Sequence, residues 1–435
     1  MPHLWRVLWP SYLRSMRTFS SSPDTIFTLA AYTESIQARR FLFYSHDGLG
    51  LGDVRRSLSV ARELASLSEG ASVLLVTGAE EVESLGLPAR VGILKLPGFQ
   101  KRERASAGRI QLPWGEVRML RERVLAAAVE TFQPEVVLVD RHPFGIGGEL
   151  GPALEIARAS GARAVLGLCD VFDDRATIDV EWHARGVFQR IAAYYSRVLV
   201  YGQPDVLDPV RDYGFPDDVA AITAFCGYVV SASQSERGSL GANGAPASLK
   251  RQRPRVLATG GGGADGFPVL QAFVGAAADA GWRATIVAGP ECPPGRVKWL
   301  DGMASEAGVS FRHFVPSLPS EFSSLDALVC MGGYNTLAEA VASGVPTVCV
   351  PRVRPRSEQL IRAEAFLARG LLRLVEPDRL APDVLRAEVE SALTTHPHMA
   401  RTRLDLGGSR RAAHHLLELA AQRASRPRSK PALVA

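Results

Sequence analysis

The chain has 435 residues, 46% hydrophobic and 22% charged, with a formal net charge of +5; that length exceeds one ordinary core and points to two domains, and the composition excludes a disordered or fibrous chain. The positive charge is carried by arginine far more than lysine and suits phosphate-bearing or anionic-surface partners. It comes with neither a dense basic helix nor an aromatic RNA-binding signature, so no nucleic-acid partner is expected.

Residues 1–38 are expected to be a disordered leader. Met1 to Pro23 carries Arg6, Arg14 and Arg17 among serines without an acid, superficially a transit peptide, but Arg6 and Pro10 break its apolar stretch. No apolar run reaches the roughly 18 residues that cross a bilayer, so no spanning helix and a cytoplasmic location are expected.

From Phe41 onward, short valine-, leucine- and isoleucine-rich runs alternate with helical periodicity, the pattern of parallel α/β units. Residues 39–230 supply FLFYS, SVLLVTG, VGILKL, VVLVD, RAVLGL and RVLVY and form the expected first Rossmann-like domain. A helix over about Val54 to Leu67 would put Leu58, Ala61, Leu64 and Ala65 on one face. Lys95 to Arg123 carries Lys95, Lys101, Arg102, Arg104, Arg109, Arg118, Arg121 and Arg123, interleaved with Leu112, Trp114, Met119 and Leu120. That mixture suits either peripheral contact with a membrane or lipid-linked acceptor, or an amphipathic helix packed on its own domain.

Residues 231–253 are rich in serine, glycine and alanine without apolar periodicity and read as a linker. Residues 254–423 restart the alternation with RVLAT, RATIVAG, VSFRHFV, DALVC, PTVCV and LLRLV, a second open parallel sheet, and 424–435 form a loose tail. The expected fold class is therefore α/β, with two doubly wound parallel-sheet domains facing across a cleft. Ligands of such sheets bind outside the carboxyl ends of the strands.

Met331 to Pro351, MGGYNTLAEAVASGVPTVCVP, is the most informative loop. A strand ends at Gly332-Gly333 and a helix begins at once, so free amides, the side chains of Asn335 and Thr336, and the helix dipole suit a diphosphate. Glu339 offers an acceptor for ribose hydroxyls. Further on, Glu358 and Gln359 suit sugar hydroxyls, and Arg352, Arg354 and Arg356 suit phosphate, with at least one of the three expected to be merely solvated. Thr259 and the glycines Gly260 to Gly263, with Gly261 and Gly262 central, form a permissive phosphate-side loop without a Walker lysine. The five scattered cysteines show no metal-ligand spacing, and Cys330 and Cys349 lie in apolar runs as small buried hydrophobes.

The run GGYNTLAEAVASGVPTVCVPR followed by EQ resembles the donor-site signature of the MurG-like glycosyltransferases, a GT-B family, over most of Arg255 to Val375. The resemblance implies a UDP-sugar co-substrate and inverting transfer. It assigns the diphosphate to Gly332, Gly333, Asn335 and Thr336, ribose to Glu339, and the donor sugar to Glu358 and Gln359. HFVPSLPSEF resembles the segment lining the nucleobase, which gives uracil to the backbone at Phe314 and Val315.

HDGLGLGDVRRSLSVARELA resembles the first-domain GxGHxxR-type loop of the same group, with Gly50, Gly52 and Arg56 kept and Asp53 in the place of the family's histidine. The acceptor proton needs a base; Asp53 is a candidate, with His46 and Asp47 at the end of the first strand as rivals. VVLVDRHPF adds Asp140, Arg141 and His142 to the same cleft edge, with His142 a fourth candidate base, and LGLCDVFDDR adds Asp170, Asp173 and Asp174 as acceptor-side contacts. No cofactor or obligatory metal is expected. The leading reading is a UDP-sugar-dependent hexosyl or N-acetylhexosaminyl transferase acting on an acceptor hydroxyl. Its alternatives are a nucleotide-sugar hydrolase with Asp53 activating water and a non-enzymatic nucleotide-sugar sensor.

Overall fold

The apolar runs become strands buried on both faces, as helices covering a parallel sheet require; Phe41–Ser45 and Val136–Asp140 are buried residue by residue. The computed structural model describes residues 39–45, 52–79, 82–98, 112–231, 253–394 and 404–424. His46, Asp47, Gly50, the basic residues Lys101, Arg102, Arg104 and Arg109, and most of the expected linker lie outside them.

The first sheet contains β1 (Arg39–Ser45), β2 (Ala71–Thr77), β3 (Val91–Lys95), β4 (Val136–Asp140), β5 (Arg163–Cys169), β6 (Tyr195–Tyr201) and β7 (Thr223–Phe225), all parallel in the order β3-β2-β1-β4-β5-β6-β7. The second contains β8 (Arg255–Thr259), β9 (Arg283–Val287), β10 (Ser310–Arg312), β11 (Ala327–Cys330), β12 (Thr347–Cys349) and β13 (Arg373–Leu374), also all parallel, in the order β10-β9-β8-β11-β12-β13. The order reverses between β1 and β4, where Ser45 lies beside Asp140, and between β8 and β11, where Ala258 lies beside Val329. These two switch points are where open α/β sheets receive ligands.

In the first domain, α1 (Gly52–Leu67), α2 (Trp114–Phe132), α3 (Gly151–Ala159) and α4 (Val187–Tyr194) flank the sheet. The buried face of α1 holds Val54, Leu58, Ala61 and Leu64, with Ala65 half-buried. On α2, Val117, Leu125 and Val129 face inward, while Met119 and Leu120 are exposed near Arg118 and Arg123. Arg121 does not belong to that outer surface. It is fully buried, bonds the Pro97 carbonyl at 2.7 Å and pairs with buried Glu149 at 3.2 Å.

The second domain adds α5 (Phe267–Ala277), α6 (Pro294–Glu306), α7 (Tyr334–Ser343), α8 (Glu358–Leu367) and α9 (Pro382–Leu393). A last helix, α10 (Gly408–Ala424), returns to pack on α1 and β5 of the first sheet. It buries Ala412, Ala413, Leu416, Leu419 and Ala420, with each leucine contributing about 1.5–3 kcal/mol relative to exposure. Arg423 at its end donates to the Ser160 carbonyl at 2.7 Å. A continuous apolar cluster runs from Phe43 and Leu138 of the first sheet through Tyr228, Val229 and Tyr334 to Leu257 and Leu328 of the second. Among the described residues no helix is long and apolar enough to cross a membrane.

Candidate functional site

Gly332 and Gly333 join β11 to α7. Gly332 has φ 81°, and a Cβ there would stand 3.0 Å from the Gln359 carbonyl oxygen and 3.2 Å from Cys349 Sγ. Both the left-handed backbone and the crowding therefore call for glycine. Gly333 caps α7 without a side-chain bond and has open space on its Cβ side. The first amides of α7, with Asn335 and Thr336 in its opening turn, thus lack intrahelical acceptors and favour an anion.

Glu339 projects from the same helix and is 5% exposed. The Ser231 amide donates to its carboxylate, whereas Oε2 is buried without a partner. Burial pushes its pKa up to about 7, opposed by the Arg55 guanidinium and the Ser231 amide. Arg55 comes from α1 in the first domain and donates to the Pro316 carbonyl at 2.5 Å. Just before that proline, Val315 is buried and Phe314 half-buried, and no hydrogen bond among the described residues uses their main-chain groups.

The loop after β12 separates arginines that look alike in the sequence. Arg352 pairs with Glu358 and lies 3.5 Å from Asp265, and its amide donates to Gln359 Oε1 at 3.1 Å. Glu358 keeps Oε2 buried and unfilled. Arg356 reaches across to the first domain, bonding Asp173 at 2.8 Å and Glu181 at 2.8 and 3.0 Å, while the Ser357 amide also donates to Asp173 at 2.9 Å. Its guanidinium is thus already held by two carboxylates. Arg362, on α8, grips buried Asp170 with its Nη2 at 2.7 Å and donates to the Gly332 carbonyl at 3.1 Å.

The glycine loop after β8 is shaped by close backbone approach. Gly261 and Gly263 have φ 63° and 101°, and a Cβ on Gly289 would lie 2.4 Å from the Gly261 carbonyl oxygen. Glu291 donates its amide to the Gly262 carbonyl at 2.8 Å. A Cβ on Gly261 would meet nothing within 4 Å, so this edge of the loop is open.

On the first-domain side, Asp53 stands at the start of α1, pairing with Arg56 at 2.9 Å and Arg141 at 4.0 Å. Arg56 is buried, bonds Asp140 at 2.7 and 3.1 Å, and lies over the rings of Tyr201 and Tyr334 at 5.4 and 5.2 Å. Burial drives the Asp140 carboxyl up to about 6 against the opposing Arg56 guanidinium. His142 is half-buried, and its amide donates to the Asp140 carbonyl at 2.9 Å.

Asp170 and Asp173 are the partners of Arg362 and Arg356, and Asp174 caps a short helix by accepting from the Thr177 amide at 2.9 Å. Each of these acids is thus engaged by groups of the chain itself. Among the described residues no three His, Cys, Asp or Glu side chains are grouped to hold a metal, and the cysteines are buried free thiols.

The structure brings Gly332, Gly333, Asn335, Thr336, Glu339, Glu358 and Gln359 to one edge of the second sheet. The start of α1 is set against them, since a Cβ on Gly52 would fall 2.6 Å from Asn335 Nδ2. Arg55 and Arg362 are marked by no motif in the sequence. Their signal was position alone: Arg55 adjoins the motif arginine Arg56, and Arg362 follows Glu358 by one helical turn.

No family model matches the chain. It is 26% identical over 266 residues to the UDP-N-acetylglucosamine--N-acetylmuramyl-(pentapeptide) pyrophosphoryl-undecaprenol N-acetylglucosamine transferase of Corynebacterium efficiens, covering 57% of this chain and 67% of that protein. To the protein of the same name from Paenarthrobacter aurescens it is 29% identical over 150 residues, 34% of this chain and 39% of that one. Among solved structures, the calicheamicin glycosyltransferase CalG4 matches with a TM-score of 0.56 at 20% identity, covering 90% of this chain and all (100%) of that one. Acinetobacter baumannii MurG matches with a TM-score of 0.53 at 14% identity, covering 87% of this chain and 99% of that one. The chain has the GT-B glycosyltransferase fold and a MurG-like sequence.

Proposed function

We propose that this chain, GT-B in fold and MurG-like in sequence, transfers a hexosyl or N-acetylhexosaminyl group from a UDP-sugar to an acceptor hydroxyl with inversion at the anomeric carbon. The observation that carries this reading is Glu339, a buried carboxylate with an unfilled acceptor atom on the helix that opens at Gly332-Gly333. A buried acceptor without a donor is costly, and a ribose hydroxyl supplies one. The diphosphate then lies on the first amides of α7, uracil against the main chain at Phe314 and Val315, and the sugar against Glu358 and Gln359.

In the reaction, the acceptor hydroxyl gives its proton to a carboxylate, for which Asp53 is the candidate. The acceptor oxygen bonds to the anomeric carbon on the face opposite the diphosphate, whose bond to that carbon breaks. The charge appearing on the leaving UDP is met by the α7 amides and helix dipole. These groups supply the stabilisation without a metal. The exposed Met119 and Leu120 on α2, beside Arg118 and Arg123, suit peripheral approach to a membrane carrying a lipid-linked acceptor, at a cytoplasmic location.

The test is UDP release from several UDP-sugars with and without acceptor-containing extract. Transfer predicts release that depends on acceptor. Release at the full rate with water alone would replace transferase by hydrolase, and tight UDP binding without turnover would replace both by a sensor.

The Arg356 bridge yields a kinetic expectation. Its side chain is 39% exposed while Asp173 is 2% exposed, so a screened pair joins a loop near the sugar to the first domain. Arg356→Ala is expected to raise donor KM by roughly 3- to 10-fold with a smaller change in kcat, because the loop loses its anchor. An unaltered KM in steady-state assays would detach this bridge from donor binding.

A further inference from the structure

The start of α1 is built against the start of α7. A Cβ on Gly52 would stand 2.6 Å from Asn335 Nδ2, and Arg56 lies 5.2 Å from the Tyr334 ring. Arg55, beside Arg56, crosses to the second domain and donates to the Pro316 carbonyl at 2.5 Å, yet its Nε is buried without a partner. Across from it, Glu339 Oε2 is also buried without a partner. Each is the charged group acting on the other, though no ion pair within 4.0 Å joins them among the described residues. One domain therefore presents an unused donor and the other an unused acceptor. A hydroxyl both donates and accepts, so a vicinal diol satisfies the two together.

We propose that Arg55 is a positioning residue of the nucleotide site, supplied by the first domain, which shares the ribose diol of a nucleoside diphosphate with the buried Glu339 carboxylate. This rests on the donor-site reading above and adds a consequence to it: the nucleotide is held fully only when the two domains are together.

Among the described residues no other charge acts on Glu339. The helix α7 carries no second ionisable acid or base besides Tyr334, and Tyr334 is buried with its hydroxyl accepting from the Val229 amide. The 3-10 turn Leu318–Ser324 packs on α7, and its Glu321 is held by Arg312 at 2.8 and 2.9 Å. On α1, Asp53 is held by Arg56. From the first residue of the linker, Ser231 contributes its amide.

The ionised Glu339 carboxylate accepts hydrogen bonds more strongly than the protonated acid, so binding strengthens as pH rises through about 7 and weakens below it. The experiment is calorimetric titration of the full chain with UDP and with 2′-deoxy-UDP between pH 6 and pH 9, for the unaltered protein, Arg55→Gln and Arg55→Lys. UDP affinity in Arg55→Gln is expected to fall about 10-fold or more near neutrality and to recover toward pH 9, because burial without the cation moves ionisation upward. Arg55→Lys keeps most of the affinity, and 2′-deoxy-UDP binds weakly and nearly equally to all three proteins.

Parallel loss of UDP and 2′-deoxy-UDP at every pH would make Arg55 merely structural and overturn the proposal. If Arg55→Gln does not fold, a flat pH profile for the unaltered protein overturns it equally. Absence of any UDP binding by the unaltered protein would instead overturn the donor-site reading itself.

Discussion

Asp53→Asn is expected to lower kcat by about 100- to 10,000-fold, the usual contribution of a general base, while changing UDP affinity little. The substitution removes the proton-accepting charge and little else. Asparagine Oδ1 still accepts from Arg56, and the two bonds from Arg56 to Asp140, at 2.7 and 3.1 Å, remain. The fold at the start of α1 is therefore kept. Steady-state kinetics with UDP release as readout checks this. Turnover within threefold of the unaltered protein would remove Asp53 from the mechanism and leave His46, Asp47 and His142.

Arg362→Leu is expected to cost about 3–5 kcal/mol of stability, the usual consequence of stranding one member of a buried ion pair. The side chains of Arg362 and Asp170 are 3% and 0% exposed, so water cannot replace the lost partner. The same substitution frees the Gly332 carbonyl, which Arg362 bonds at 3.1 Å, and so loosens the turn that starts α7. Asp170 comes from the first domain and Arg362 from the second, so the loss falls on the join between them. Urea denaturation measures the cost. Arg362→Lys should recover part of it, because a point charge meets Asp170 without the two-nitrogen geometry. A midpoint unchanged in Arg362→Leu would show that the pair carries no net stability.

Much of this was legible from residue patterns. Strands buried on both faces announce themselves as unbroken apolar runs, so VVLVD and DALVC could be placed without coordinates. The glycine turn, Glu339 and the Glu358-Gln359 pair stood in the order in which the strand, helix and loop assemble them. The two-residue β13 lies inside the apolar run LLRLV, and β7, the edge strand Thr223–Phe225, is too short to register as a separate run. Pairings between domains were illegible for a different reason. Arg356 and Glu181 are 175 positions apart, and no local periodicity encodes which arginine meets which acid. The same holds for Asp170 and Asp173, whose loop position suggested acceptor contact but whose partners lie on the second domain. Burial also changed the meaning of Arg121, a basic residue by sequence and a buried partner of Glu149 in the fold.

Calorimetric titration of UDP into the unaltered protein and Glu339→Ala tests whether the segment from Met331 to Gln359 holds the nucleotide of a UDP-sugar. Saturable binding is expected for the first and affinity weaker by about 10- to 100-fold for the second, equivalent to about 1.4–2.7 kcal/mol, with folding retained. Equal UDP affinity in the two proteins, or no binding to either, would contradict it.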